Sequence, residues 1–327
     1  MSDNTGPAYA RAAEGGRVLA QAAVAALVLL LCYWAWRRFL VACKDRLGIS
    51  ERAPTWFIWA KLFPKTFPQV VGLIWSAIGL IPCENLIAAF GYFNEWGRRG
   101  VWTFRNQEGA QGLVALTIDD APARPHGRSL MDVVLPLLAE YNATCSFFVV
   151  STFMEGREAE MRQAVEAGHE LCNHGGKDVP YHRHTKEAFQ EVLLACEAKI
   201  DKCLDDVNAA SPSPSINRCN NKWFRPPHAK MSPAMEQVLA EEGFRIAMSD
   251  CYGMDVMCRP PFIANYTARH AQAGSIVLLH MPEEGFREYN LESIRGALAG
   301  LAARGLRCVS LSELEDACRG PSGPKCD

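Results

Sequence analysis

The sequence has no surplus of either charge: 34 Lys and Arg stand against 36 Asp and Glu over 327 residues, a formal net charge of −2. Such a chain lacks the electrostatic footprint of a nucleic-acid binder, so nucleic acid is not expected as a partner. It also lacks any Cys-x-x-Cys pair, although thirteen cysteines are present, so no thiolate metal site is encoded. Cys145 and Cys172 lie inside apolar runs, where buried thiols are common. Cys219, Cys251, Cys258, Cys308, Cys318 and Cys326 are disulfide candidates. Two Asn-x-Thr sequons, at Asn142 and Asn265, are no more than chance provides.

What the chain does have is apolar length, with 49% hydrophobic residues, enough to bury a large core. After a small, polar tail (1–17), Val18 to Trp36 is a run of nineteen uncharged residues followed by Arg37 and Arg38. That is the length a bilayer core requires and reads as a transmembrane helix, with a secretory apolar region or a buried soluble helix as the other readings. The loop 37–66 is basic, which places it in the cytosol and the N-terminus outside. Segment 67–93 contains a second apolar stretch, Val70 to Pro82, too short for a standard span; it is membrane-associated or a short second crossing. If it crosses, the C-terminal domain lies on the non-cytoplasmic side, and this is the expected localisation.

Residues 94–111, punctuated by Gly97, Gly100 and Gly109, read as a linker. From Gly112 onward, apolar runs alternate with helical patterns. The strand candidates are 113–118, 145–150, 170–172, 222–225, 244–249, 275–280 and 306–309, seven in all. Leu130, Val133, Val134, Leu137, Leu138 and Tyr141 keep helical spacing, with a kink expected at Pro136. Ser232-Pro233 reads as an N-cap with proline at the first helical position. Asn208 to Asn221 reads as an exposed loop. Such alternation implies a parallel sheet wound with helices, either an open doubly wound sheet or a barrel. In both, reactive groups gather at the carboxyl ends of the strands.

Those ends carry ionisable residues. Asp119 and Asp120 follow Gly112 to Ile118, His174 follows Glu170 to Asn173, Arg225 follows Lys222 to Phe224, and His280 ends Ser275 to Leu279. Any one of them has an ordinary structural explanation, as a helix cap, a surface ion pair or a satisfied core histidine. Four such ends carrying five ionisable residues together point to one site. Asp178, four residues after His174, is placed to share an ion with it if the segment turns, and a carboxylate with an imidazole is a standard ligand combination. His182 and His184 are rival imidazoles. Trp223, Phe224, Phe147 and Phe148 are read as packing, whereas Tyr252, Trp102 and Phe262 are open to sugar stacking.

The stretches LTIDDAP (116–122), NHGGKD (173–178), RPP (225–227) and VLLH (277–280), in this order and spacing, resemble the motifs of the NodB-type polysaccharide deacetylases, over about 112–318, leaving 319–327 as a tail. The resemblance implies an irregular (β/α)7 barrel that hydrolyses the acetamide of an N-acetylated sugar, an N-acetylglucosamine-containing glycan above all, with a divalent metal. Zinc is the family's usual ion, with iron, manganese or cobalt as alternatives. It further implies Asp119 as general base, His280 as general acid, and Asp120, His174 and Asp178 as metal ligands. Arg225 would orient Asp119, and Pro227 with the backbone N–H of His228 would form the oxyanion and substrate wall. Asp255 would support His280, with Asp250 as its competitor. Three positions depart from the family pattern: Asp178 replaces a histidine, and Ala121 and Ala229 replace glycines. The different-class alternative is a non-catalytic glycan- or metal-binding member, and a further enzymatic one is an O-acetyl carbohydrate esterase.

Overall fold

The computed structural model describes residues 100–210, 222–256 and 258–320, and the apolar runs there become parallel strands in sequence order. They are β1 (Leu113–Ala121), β2 (Ser146–Val149), β3 (Glu170–Asn173), β4 (Lys222–Phe224), β5 (Phe244–Ile246), β6 (Cys251–Tyr252), β7 (Ile276–His280) and β8 (Arg307–Val309). The helices are α1 (Met131–Glu140), α2 (Glu158–Glu166), α3 (Lys186–Ala210), α4 (Pro233–Glu241), α5 (Pro260–His270), α6 (Asn290–Ala302) and α7 (Leu311–Arg319). β1 is central because it is apolar on both faces, as a fully covered parallel strand must be. Its first half pairs with β8 (Leu113 to Ala115 with Arg307 to Val309), its second half with β2, and β7 runs along it.

The order β5-β4-β3-β2-β1-β7-β6, with β8 beside β1, is a curled sheet with two edges rather than a closed barrel. This corrects the seven-stranded expectation in closure and in count, since Cys251–Tyr252 is an eighth strand too short to carry an alternation signal. The gap between the edges is spanned by residues expected to be linker. Val101 bridges to Ala247, Thr103 bridges to Ser275, and Phe104 and Ala110 are buried in the core.

Ala115, Phe148, Cys172, Trp223, Ala247, Ile276 and Val309 share one cluster that fills the concave face, sealed from below by Phe104 and by Leu311 and Leu314 of α7. Because strand side chains alternate, the next positions along the same columns point the same way. The column in β1 is Ala115, Thr117, Asp119; in β3 it continues from Cys172 to His174; in β4 from Trp223 to Arg225; in β7 from Ile276 to His280. The site therefore sits directly on top of the core. A second cluster packs α3 and α4 (Phe189, Leu193, Met235, Val238, Leu239) against Phe224 and Ile246 on the outer face.

Local signals behave as their chemistry demands. Ser232 caps α4 by accepting from the Met235 N–H at 3.3 Å, with Pro233 in the first turn. α1 runs through Pro136 as one helix. Asn208 to Ala210, expected in a loop, complete the last turn of α3. Cys251, Cys258, Cys308 and Cys318 are free thiols, so the disulfide expectation is corrected for them. Cys219 and Cys326, residues 211–221, the span Val18 to Trp36 and the segments 37–66 and 67–93 lie outside the described residues. Among the described residues no helix is long and apolar enough to cross a membrane.

Candidate active site

Asp119 is buried and bound through Oδ1 to the Arg225 guanidinium at 2.7 Å. Arg225 is itself immobilised: it donates to Thr117 Oγ1 at 2.8 Å and to the carbonyl oxygens of Ala247 and Met248, and lies 4.1 Å above the Phe148 ring. Every direction it faces is occupied, so it holds Asp119 in one rotamer and leaves Oδ2 to the cleft. Thr117, which sequence reasoning passed over, also bonds the Val277 carbonyl at 2.7 Å and so ties the base to the neighbouring strand.

Asp120 should face away from Asp119 in a regular strand. It does not, because the pairing of β1 with β2 shifts between Asp119 and Ala121 and Asp120 takes φ +64°. This irregularity turns the second carboxylate toward the same cleft. His174 Nε2 lies 3.7 Å from Asp119 Oδ2 and 3.8 Å from Asp120 Oδ1. Its Nδ1 is 2.8 Å from the Arg225 carbonyl, which assigns the proton to Nδ1 and leaves the Nε2 lone pair facing both carboxylates.

His280 sits on β7 as the register partner of Asp119. Its Nδ1 meets Asp255 Oδ1 at 2.8 Å, and its backbone N–H donates to Asp255 Oδ2 at 2.6 Å. Asn290, at the start of α6, fixes the same carboxylate at 3.1 Å, a buried residue for which no motif spoke. Asp250, the competitor, lies elsewhere: it pairs with Arg105 at 2.7 Å and accepts from the Ile276 N–H. Burial alone would lower the His280 pKa, but Asp255, then Asp120 and Asp119, raise it to about 9. For Asp120, burial pushes upward, and His280, His174 and Arg287 outweigh it and hold the carboxyl below its ordinary range.

Three expected features fall differently. Asp178 turns to the His228 imidazole at 3.4 Å, because the Tyr181 hydroxyl pins both the N–H and the carbonyl of Lys177 and fixes the loop before it. His184 packs against Tyr181, 5.1 Å between ring centroids, and His182 sits by Lys230 and Arg183; neither joins Asp120 and His174. Arg287, unremarked in the sequence, donates to Asp120 Oδ2 at 2.6 Å. Among the described residues no group of three or more His, Cys, Asp or Glu side chains is arranged to hold a metal. The ligand set Asp120, His174 and Asp178 thus does not close: two donors converge, the third faces His228, and a guanidinium holds one of the Asp120 oxygens. Pro227 and His228 form a tight turn in which His228 (φ +57°) and Ala229 (φ +55°) are both left-handed.

A curled parallel sheet with a buried carboxylate–guanidinium pair and a carboxylate-backed imidazole at its strand ends makes an α/β half-barrel with an acid–base constellation on its open face. A family model described as polysaccharide deacetylase matches residues 106–247. The peptidoglycan-N-acetylglucosamine deacetylase of Bacillus cereus is 24% identical over 216 residues, covering 65% of this chain and 91% of that one. A CE4 family pseudoenzyme from Bacillus anthracis shares the fold, with a TM-score of 0.52 and 18% identity over 67% of this chain and 69% of that one. A family 4 acetyl xylan esterase from Clostridium thermocellum, in complex with a cobalt ion, has a TM-score of 0.51 and 25% identity over 62% of this chain and 89% of that one. Over residues 106–247 the chain matches the polysaccharide deacetylase family, and the relatives named above include a deacetylase and an esterase of that type.

Proposed function

We propose that the protein hydrolyses the acetamide of an N-acetylated sugar within a polysaccharide or glycoconjugate, releasing acetate and a free amine. The observation that carries this reading is the placement of Asp119 and His280 as register partners on adjacent strands, each backed by a buried partner of opposite charge. Asp119, held by Arg225, takes a proton from the attacking water. The carbonyl carbon becomes tetrahedral, with the backbone N–H of His228 as the donor to its oxygen. His280, protonated at neutral pH, gives its proton to the departing nitrogen as the C–N bond breaks. No step is routed through a metal, since the residues as arranged do not close a site for one.

The substrate class is supported by the Bacillus cereus relative, whose name specifies peptidoglycan N-acetylglucosamine. Beside Arg287 a cleft of about 410 Å3 is lined by Val256, Phe286 and Tyr289, whose half-exposed rings offer the apolar faces that sugars stack on. The test is acetate release from an N-acetylglucosamine oligomer by the full-length protein, with and without added zinc or cobalt. Absence of acetate from every N- and O-acetylated glycan tried would overturn the enzymatic reading. Release from an O-acetylated xylan only would assign the chain to ester hydrolysis, as the Clostridium thermocellum relative's name suggests.

A second reading, a non-catalytic glycan-binding member, is favoured by one observation: Arg287 on Asp120 and His228 on Asp178 leave the carboxylates already paired. Glycan binding without acetate release would select it. The nineteen-residue apolar run from Val18 supports membrane anchoring, and a second crossing by Val70 to Pro82 would put the catalytic domain on the non-cytoplasmic side. Protease protection of a C-terminal tag in sealed vesicles tests that placement; a tag cleaved only after the vesicles are opened would place the domain inside.

A further inference from the structure

We propose that Arg287 is the resident counter-ion of Asp120 and competes with divalent metal for it, so that metal enters this site only when the Arg287 side chain leaves. The inference rests on reading Asp120 and His174 as one cation site. It concerns a residue outside every motif that carried that reading.

The Asp120 carboxylate is divided between two partners. Oδ1 faces His174 Nε2 at 3.8 Å, and Oδ2 receives Arg287 Nη1 at 2.6 Å. Asp119 is divided in the same way, between Arg225 through Oδ1 and the His174 edge through Oδ2. Two carboxylates therefore meet two guanidiniums, and the buried cleft is balanced before any ion arrives. A divalent cation placed against His174 Nε2 and Asp120 would stand beside a fixed positive charge in a poorly screened space. Removing that charge restores the carboxylate to the metal.

Arg287 is not a loose surface arm. The loop between β7 and α6 is clamped to the loop after β1: Arg124 binds Glu283 at 2.8 Å, and the Glu284 N–H donates to the Arg128 carbonyl. Phe286 lies between two guanidinium groups, 3.4 Å from that of Arg124 and 4.9 Å from that of Arg287. Arg287 itself adopts φ +53°, a conformation that a non-glycine residue keeps only where its surroundings hold it. The clamp presents the guanidinium to Asp120, while the cleft lined by Val256, Phe286 and Tyr289 leaves room for it to swing out. The gate is thus a side chain on a fixed loop, not a moving loop.

The experiment is calorimetric titration of the full-length protein with zinc and with cobalt, using the cobalt visible absorption as a second signal. Wild type is compared with Arg287→Ala, Arg287→Gln, Arg287→Lys, and Arg287→Gln combined with Asp120→Asn; thermal melts establish that each is folded. The neutral variants are expected to bind metal at least ~10-fold more tightly than wild type, as follows from removing one adjacent charge. Arg287→Lys should stay within a few-fold of wild type, and Asp120→Asn should abolish the gain. Equal affinity in wild type and Arg287→Gln, including no binding by either, overturns the proposal, as does a gain that survives Asp120→Asn. Arg287→Gln keeps the length and hydrogen bonding of the side chain, so it carries the test if Arg287→Ala does not fold. The readout is binding, so a protein that releases no acetate still decides it.

Discussion

Asp119 and His280 are register partners on the adjacent parallel strands β1 and β7. Each is also tied by its side chain to a buried partner reached from another part of the chain, Arg225 from β4 and Asp255 from the segment after β6. The proposed base and acid thus share one backbone scaffold while each side chain is held by its own buried neighbour.

The Asp119–Arg225 pair is almost completely buried on both sides. Arg225→Ala leaves a carboxylate without its partner and is expected to cost ~3–5 kcal/mol in urea unfolding. Asp119→Asn with Arg225→Met, which removes both charges, should recover most of that loss while remaining inactive. If the double variant is no more stable than Arg225→Ala, the pair is not what holds this part of the sheet.

For His280 the folded pKa of about 9 lies above the ordinary imidazole value of ~6.5. Its protonated form is therefore stabilised by the fold. That stabilisation is complete below pH ~6.5 and is lost as pH rises through about 9. Acetate release should accordingly fall on an alkaline limb near 9, and Asp255→Asn should move the limb toward lower pH. A pH profile of kcat/KM unchanged in Asp255→Asn would show that another group sets the limb.

Ala121 and Ala229, the two alanines at positions where the family resemblance predicts glycine, are not equivalent. Ala229 has φ +55°, so Ala229→Gly should stabilise the protein by ~1 kcal/mol by relieving a left-handed alanine. Ala121 is a fully buried residue of β1 with no positive φ, and Ala121→Gly should destabilise by ~1 kcal/mol through added backbone freedom and lost packing. Chemical denaturation of both variants checks the pair of opposite signs; two changes of the same sign would contradict this assignment.

Gly175 should tolerate no side chain. It has φ +84°, and a Cβ there would stand 2.6 Å from the Tyr181 ring. Gly175→Ala is expected to displace Tyr181, release Lys177 and free the Asp178 loop. The measurable result is a lower melting temperature and faster amide exchange across 175–181. Unchanged exchange would mean that Tyr181 does not hold the loop.

Much of the fold was legible along the chain. Seven of the eight strands were visible as apolar runs because parallel strands covered on both faces must be apolar throughout. β6 escaped because two residues cannot show a period. The 101–104 segment read as linker because its role, bridging the open edges of the sheet, depends on partners more than a hundred residues away. In the site, Asp119, His174, Arg225 and His280 were legible as ionisable groups at strand ends. Thr117, Asn290 and Arg287 were not, since an ordinary threonine, asparagine or arginine gains its meaning only from what it touches.

The sequence by itself determined the alternating order of strands and helices, the strand ends where charge accumulates, and the columns that carry those charges onto the concave face. These follow from local periodicity and from the cost of placing ionised groups anywhere else in an apolar strand. Only the tertiary structure decided which carboxylate meets which cation. Asp120 joins Asp119 through a local irregularity in β1, Asp255 rather than Asp250 backs His280, Asp178 turns to His228, and Arg287 reaches Asp120. Electrostatic pairing acts over a few ångströms between residues far apart in the chain, and no spacing along the sequence records it.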